Sequence, residues 1–295
     1  MKKHSTGLLF ARGAALLFAA LCVALVVSYA STKQTESTCS TAQICVAFLD
    51  MGQGDAIYIR SPSGKSMLVD GGRDASVLRQ LDMVVPREDS SLTYVVATHP
   101  DLDHIGGLTA VVDHYRPQEF LTIKSEKSTG ATEQLDAMII DKNVNRVVLQ
   151  SGDVYDLGAG VLVSVLYPFQ DIEAEDSNEE SIVLMVTYGE SRFLLTGDAP
   201  MLVEHMLVRT YGDTLRADVL KAGHHGSKTS SSAYFLAAVD PAVTVISAGK
   251  DNSYGHPHEP VIAALLGAGT QILSTIENST IITESDGQKI TVRRR

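Results

Sequence analysis

Two histidines and two aspartates crowd into six residues, His99-Pro100-Asp101-Leu102-Asp103-His104, directly after an apolar segment that ends at Ala97. Imidazoles and carboxylates at this density repel or strand charge unless they are solvated or bound to a cation. In extended chain His99 and Asp101 project to one side, because side chains alternate with period two. Asp103 and His104 then begin a helix, and Gly106 and Gly107 remove side chains that would block a closely approaching ion or substrate. A polar helix cap explains one aspartate of this set, whereas a divalent ion explains the whole His-x-Asp-x-Asp-His pattern.

From Gln43 onward short β-branched runs alternate with helical stretches, the pattern of an α/β sandwich with mixed sheets. Strands are predicted at 44–49, 56–60, 67–69, 94–97, 147–149, 161–166, 182–188, 192–195, 219–222, 243–247, 271–273, 280–283 and 290–292, and helices at 75–83, 106–115, 132–142, 200–211, 231–239 and 260–266. The acidic stretch 171–180 reads as a solvated loop. With 44 % hydrophobic and 20 % charged residues in 295, the chain can bury a core and is neither disordered nor a disulfide scaffold. The absence of Trp, 6 % aromatics and a net charge of −11 argue against a stacking platform and against the broad basic face of a non-specific nucleic-acid binder.

Six of the nine histidines lie at three strand-to-loop junctions, the first being His99 and His104. Gly223-His224-His225-Gly226 follows a strand and is succeeded by Ser227, Lys228 and a run of hydroxyls suited to a phosphate. His256 and His258 flank Pro257 in a loop that begins with Lys250. Asp198, after the strand ending at Leu195, has the position of an ordinary helix cap when taken alone.

Residues 1–30 read as an export segment. Lys2, Lys3 and Arg12 are its only charges, Gly13 to Val27 is unbroken and apolar, and Ser28 and Ala30 fit cleavage after Ala30. Gly13 to Ala30 also reaches the length of an uncleaved anchor, so signal peptide and membrane association through residues 13–30 both stand. Either makes the protein exported: secreted, periplasmic or at the cell surface. Residues 31–42 then form a short linker and 43–295 the folded domain, and Cys39 with Cys45 suits a small loop-closing disulfide in an exported chain.

Taken in order, Phe48-Leu49-Asp50-Met51-Gly52-Gln53-Gly54-Asp55-Ala56, Leu68-Val69-Asp70-Gly71-Gly72, the His99 motif and Gly255-His256-Pro257-His258 resemble the metallo-β-lactamase fold, and within it the hydrolase domain of the ComEC family of DNA-uptake proteins. The resemblance covers nearly all of the chain after residue 30. It implies an α/β (α+β) four-layer αββα sandwich with one or two divalent ions, Zn²⁺ or Mn²⁺, where strand ends converge. Carried over residue by residue, His99 and Asp101 belong to one metal position, Asp103 and His104 to the other, and Asp198 bridges. His224 is the late imidazole ligand, with His225 its competitor. Asp50, Gln53, Asp55 and Asp70 support the site from neighbouring turns.

The chain departs from the wider superfamily, which has His at the position of Asp101 and another His before the bridging aspartate. His114 lies in the following helix and no histidine occurs from Arg116 to Asp198, so Asn178 or Ser181 stands in that gap. Such an oxygen-rich shell shifts the balance toward Mn²⁺. Paired ions imply hydrolysis, with Asp103, His225, His256 and Lys228 as candidates for the chemistry and Ser227, Lys228, Lys250 and His258 for substrate binding. The resemblance favours DNA as the phosphodiester substrate. The net charge keeps a small diester, such as a choline-phosphate or a nucleotide, as an alternative, and a non-catalytic DNA-binding competence partner is the alternative from another class. Protein partners are not readable from the sequence.

Overall fold

The computed structural model describes residues 38–294 apart from 88, 90 and 171–173, so residues 1–30, read above as a signal peptide or anchor, lie outside the described residues. Their strands are β1 (Ile44–Phe48), β2 (Ile57–Arg60), β3 (Ser66–Val69), β4 (Tyr94–Val96), β5 (Glu119–Thr122), β6 (Asn145–Val148), β7 (Val154–Gly158), β8 (Val161–Tyr167), β9 (Val183–Tyr188), β10 (Ser191–Leu195), β11 (Val219–Lys221), β12 (Val243–Ile246), β13 (Gln271–Ser274), β14 (Ile281–Ser285) and β15 (Ile290–Arg294). The helices are α1 (Ser76–Val84), α2 (Leu102–Ile105), α3 (Leu108–Tyr115), α4 (Gly130–Asp141), α5 (Met201–Tyr211), α6 (Ala233–Val239), α7 (Glu259–Gly267) and α8 (Thr275–Asn278).

Strands of four or five apolar residues need cover on both faces, and two sheets provide it. One runs in the order β15-β14-β1-β2-β3-β4-β5-β6, the other β13-β12-β11-β10-β9-β8-β7. Within β1 the pleat sends Ile44, Val46 and Phe48 to the core between the sheets and Cys45 and Ala47 to the helical side. Val77, Leu81, Leu108, Val112, Leu135 and Ile139 of α1, α3 and α4 cover the first sheet. Val203, Leu207, Phe235, Leu236, Val261 and Leu265 of α5, α6 and α7 cover the second. The result is a mixed α/β two-sheet sandwich with helices on both outer faces. Among the described residues no helix is long and apolar enough to cross a membrane.

Topology creates the site. β3, β4, β5 and β6 are parallel in one sheet, and β10, β11, β12 and β13 in the other. Parallel strands release their following loops at one edge, where ligands of open α/β sheets collect. The carboxyl ends of β3, β4, β10 and β11 deliver Asp70, His99, Asp198 and His225.

Two strands go beyond the sequence pattern. β5 is a four-residue insertion between α3 and α4 without alternation, and β7 is an exposed edge strand ending on a glycine, so neither carries a strong apolar signal. The helix predicted over 106–115 starts only at Leu108, as α3, and the short α2 precedes it, with Gly106 and Gly107 between the two. These glycines do not clear room for an ion: a Cβ on Gly106 would lie 2.0 Å from the Arg73 carbonyl oxygen and one on Gly107 2.1 Å from that of Gly71. They let the metal-loop backbone press against the turn after β3, and the Gly71 N–H donates to the His104 carbonyl at 2.7 Å. Cys39 and Cys45 are disulfide-bonded, with Cα atoms 5.6 Å apart.

Candidate metal centre

His99 comes from the turn after β4, His104 from α2, Asp198 from the turn after β10, and His224 and His225 from a tight turn after β11. That last turn holds two successive residues in the left-handed region, His224 at φ 49° and His225 at φ 54°, a conformation costing about 1 kcal/mol or more per non-glycine residue. Its consequence is to splay the two rings, whose planes differ by 75°. His225 turns inward and is buried; His224 turns outward, its Nδ1 3.1 Å from the Thr229 hydroxyl. The cluster therefore contains His225 in the place expected for His224, which lies 3.7 Å from Asp198 on its outer side.

The inner half of the site consists of His104, His225, Asp103 and Asp198. His104 Nδ1 lies 2.7 Å from Asp70 Oδ2 and His225 Nδ1 3.0 Å from the Ser247 carbonyl, so each ring spends its Nδ1–H on an acceptor behind it. Both Nε2 atoms then face inward, 3.3 Å apart, where a cation displacing their protons would find two lone pairs. His104 Nε2 is 3.4 Å from Asp198 Oδ1, and His225 Nε2 is 3.4 Å from both Asp198 Oδ2 and Asp103 Oδ2. Tetrahedral ligands at about 2.1 Å from one ion are spaced by about 3.4 Å, too long for good hydrogen bonds and right for an ion. The donor set fits Zn²⁺ or Mn²⁺.

The outer half consists of His99 and Asp101, sharing Asp198. His99 Nδ1 is 3.0 Å from the Thr98 hydroxyl and 3.4 Å from that of Ser181. Its Nε2 and Asp198 Oδ1 are buried with no hydrogen-bond partner among the described residues. Asp101 Oδ2 stands 3.9 Å from that Nε2, and its Oδ1 accepts from Lys127 at 2.5 Å and Ser177 at 2.8 Å. Of the two residues considered for the gap before the bridging aspartate, Ser181 touches His99 and accepts from the Asp198 N–H at 3.1 Å. Asn178 Oδ1 is buried without a partner among the described residues.

Behind the cluster the electrostatics are fixed by buried groups. Asp70 accepts from the Thr98 N–H and hydroxyl as well as from His104. Asp55 is ion-paired with the fully buried Lys221, whose ammonium also donates to the Gly197 carbonyl at 3.2 Å. Burial alone would lower the pKa of His104 and His225, yet Asp198, with Asp70 for the first and Asp55 for the second, raises both well above the usual imidazole range. Burial opposes ionisation of Asp103, but the two imidazoles hold its carboxyl down to about 2. His99 goes the other way, pushed down to about 3 by burial and by His104. The pocket as a whole favours positive charge.

The remaining candidates lie around this core. Asp50 accepts from the Gly52 N–H at 3.1 Å and Gln53 from the Gly249 N–H at 3.3 Å, so they shape the loops beside the site. Ser227 is buried, and its hydroxyl accepts from that of Thr229 at 3.0 Å. Lys228 and Lys250 are exposed. The Lys228 N–H donates to His258 Nδ1 at 3.1 Å, which leaves the proton of that ring on Nε2. His256 packs between His224 and His258 and is pushed down to about 4, first by burial and then by His224. His114 is exposed at the end of α3, edge-on to Tyr115 and outside the cluster. Lys221 and Lys127 had no role in the sequence reading. A charge inside the apolar run Val219-Leu220-Lys221-Ala222 was the available signal for the first, and nothing local marks the second.

The description Metallo-beta-lactamase superfamily matches residues 49–250. ComE operon protein 3 of Bacillus subtilis is 28 % identical over 82 % of this chain and 33 % of its own length. Recombination protein 2 of Haemophilus influenzae is 32 % identical over 79 % of this chain and 27 % of its own length. Competence protein ComA of Neisseria gonorrhoeae is 32 % identical over 91 % and 36 %. The chain thus spans about a third of the length of the curated relatives it matches. Among solved structures, the metallo-beta-lactamase fold protein YhfI from Bacillus subtilis aligns with a TM-score of 0.54 at 15 % identity, over 82 % of this chain and 100 % of that one. CmlA, a diiron beta-hydroxylase from Streptomyces venezuelae, aligns with a TM-score of 0.54 at 14 % identity, over 86 % and 54 %. At such identities the likeness is one of fold.

Proposed function

Because the chain belongs to the metallo-β-lactamase superfamily, we propose that it is an exported, metal-dependent phosphodiester hydrolase with DNA as its favoured substrate. The observation that carries the metal dependence is the inward-facing set of His104, His225, Asp103 and Asp198, with His104 Nε2 and His225 Nε2 3.3 Å apart and both tautomers fixed from behind. Names such as competence and recombination protein among the relatives favour a nucleic-acid substrate, and residues 1–30 favour export.

A divalent cation held there supplies Lewis acidity, acidifying water and drawing charge from a phosphoryl oxygen. The protein does the rest. Asp70 and the Ser247 carbonyl keep His104 and His225 oriented, and Lys221 with Asp55 fixes the buried charge behind them. Lys228 and Lys250 give an entering anion cationic company in a chain whose net charge is −11. His256 is neutral near pH 7, whereas His258 presents an Nε2–H for the departing oxygen.

Protein loaded with Mn²⁺ or Zn²⁺ is expected to cleave bis(p-nitrophenyl) phosphate and single-stranded DNA, and Asp103→Ala to abolish both. Turnover of the small diester alone supports the second reading, a small phosphodiester as substrate, which the negative charge favours. Ion-loaded, folded protein inactive on both and on nucleotide diesters defeats the enzymatic reading.

A further inference from the structure

We propose that Lys127 sets how many ions this centre retains: by holding the Asp101 carboxylate it leaves one tight ion on the His104 and His225 side and only a weak one on the His99 side. The inference rests on the metal-dependent reading above and concerns a residue outside the superfamily motifs.

The outer half is built like a ligand position. His99 is buried, its Nε2 and the Asp198 Oδ1 have no hydrogen-bond partner among the described residues, and His99 and Asp198 each offer a ligand atom within 4.8 Å of the other. A third donor is needed, and Asp101 is the carboxylate at hand, with Oδ2 3.9 Å from His99 Nε2. That carboxylate is already engaged. Lys127 reaches it from the segment before α4 at 2.5 Å and is itself steadied by the Ser177 hydroxyl at 2.8 Å, while Ser177 also donates to the same Asp101 oxygen at 2.8 Å. An ammonium and a divalent cation therefore compete for one side chain, and an ion that wins must sit beside a displaced positive charge.

At the inner half no ammonium holds Asp103; the buried Lys221 lies 3.8 Å from Asp198 Oδ1, but that carboxylate is shared by both halves and does not distinguish them. Asp103 Oδ2 is 3.4 Å from His225 Nε2, and the imidazoles are oriented by Asp70 and a carbonyl oxygen. A unit charge about 5 Å from a divalent ion, even with water-like screening, weakens binding by about tenfold or more. The Lys127 side chain is 43 % exposed, so its removal leaves the fold standing.

The test is a count and a titration on the full chain without substrate. Mn²⁺ binding is followed calorimetrically near neutral pH, and bound metal is measured by elemental analysis after desalting. The wild type is expected to keep one ion and to take a second about tenfold or more weaker. Lys127→Ala should tighten the second by about tenfold and carry two ions through desalting, Lys127→Arg should behave as wild type, and Asp101→Asn should lose the second ion and keep the first. Two equally tight ions in the wild type, or a second ion indifferent to Lys127→Ala, would overturn the proposal and leave the hydrolase reading intact. Folded protein that binds no ion would overturn both.

Discussion

Two lysine–aspartate pairs flank the same cluster and do opposite things. Lys221 and Asp55 are both buried, 0 % and 1 % exposed, and their charges are locked in the sandwich with Asp198 and His225 as neighbours. Lys127 and Asp101 sit at the rim, with side chains 43 % and 29 % exposed, where water can replace either partner. A buried pair is expensive to break because the survivor is left as an uncompensated charge, whereas an exposed pair contributes little to stability. The first therefore reads as architecture and the second as an adjustable part.

The largest expected contrast is in turnover. Replacing an inner ligand, Asp103→Asn or His225→Gln, should lower diester hydrolysis on the order of 10³-fold, the several kcal/mol that a cation contributes to a transition state. Asp101→Asn should cost about tenfold in steady-state kinetics; an equal loss from both halves would erase the distinction drawn here. Next comes stability. Lys221→Met should destabilise the metal-free protein by about 3–5 kcal/mol in a denaturant titration, and Lys127→Met by less than about 1 kcal/mol. The double variant Lys221→Met/Asp55→Leu should recover most of the loss, and failure to recover would mean that the lysine packs and does not merely pair.

Ion removal probes the same asymmetry. An ion present at about 1,000 times its dissociation constant adds about 4 kcal/mol, or roughly 8–16 °C of melting temperature for a domain of this size. Chelator should reverse that shift, His225→Gln should abolish it, and Asp101→Asn should keep most of it. The smallest effect is in pH. His99 is neutral in the fold, with its pKa pushed down to about 3 by burial first and His104 second. Its unfolded value is about 6.5. Below that value the unfolded chain takes a proton that the native ring refuses, so the contribution of His99 is complete above about pH 6.5 and is lost as pH falls toward 3. His99→Gln should flatten the acid side of the stability profile of chelated protein by on the order of 1 kcal/mol per pH unit.

Much of the sandwich was legible because its strands are apolar and alternate: β1, β8 and β10 match their predicted segments to within a residue. β7 was not, because an exposed edge strand with Asp156 and Gly158 need not alternate. His99, His104 and Asp198 announced themselves as polar residues following apolar strands. The choice between His224 and His225 did not, since adjacent residues in a left-handed turn differ only by where the backbone aims them. Lys127 was invisible for a different reason. Its partner is 26 positions away and meets it only once α4 has been placed.

The order β15-β14-β1 puts the first and last strands of the sandwich one strand apart. Register pairs Ile44 with Ser285 and Arg294 with Ile281, so the start of β1 and the end of β15 are roughly 17 Å apart across the sheet. Both antiparallel to β14, β1 and β15 run parallel, so the polypeptide enters at one end of this edge of the sheet and leaves at the other, a short distance away. Such an arrangement makes the unit a cassette: it can be spliced into a longer protein, or circularly permuted across that gap with a linker of about eight residues, while the loops that carry the histidines keep their supports.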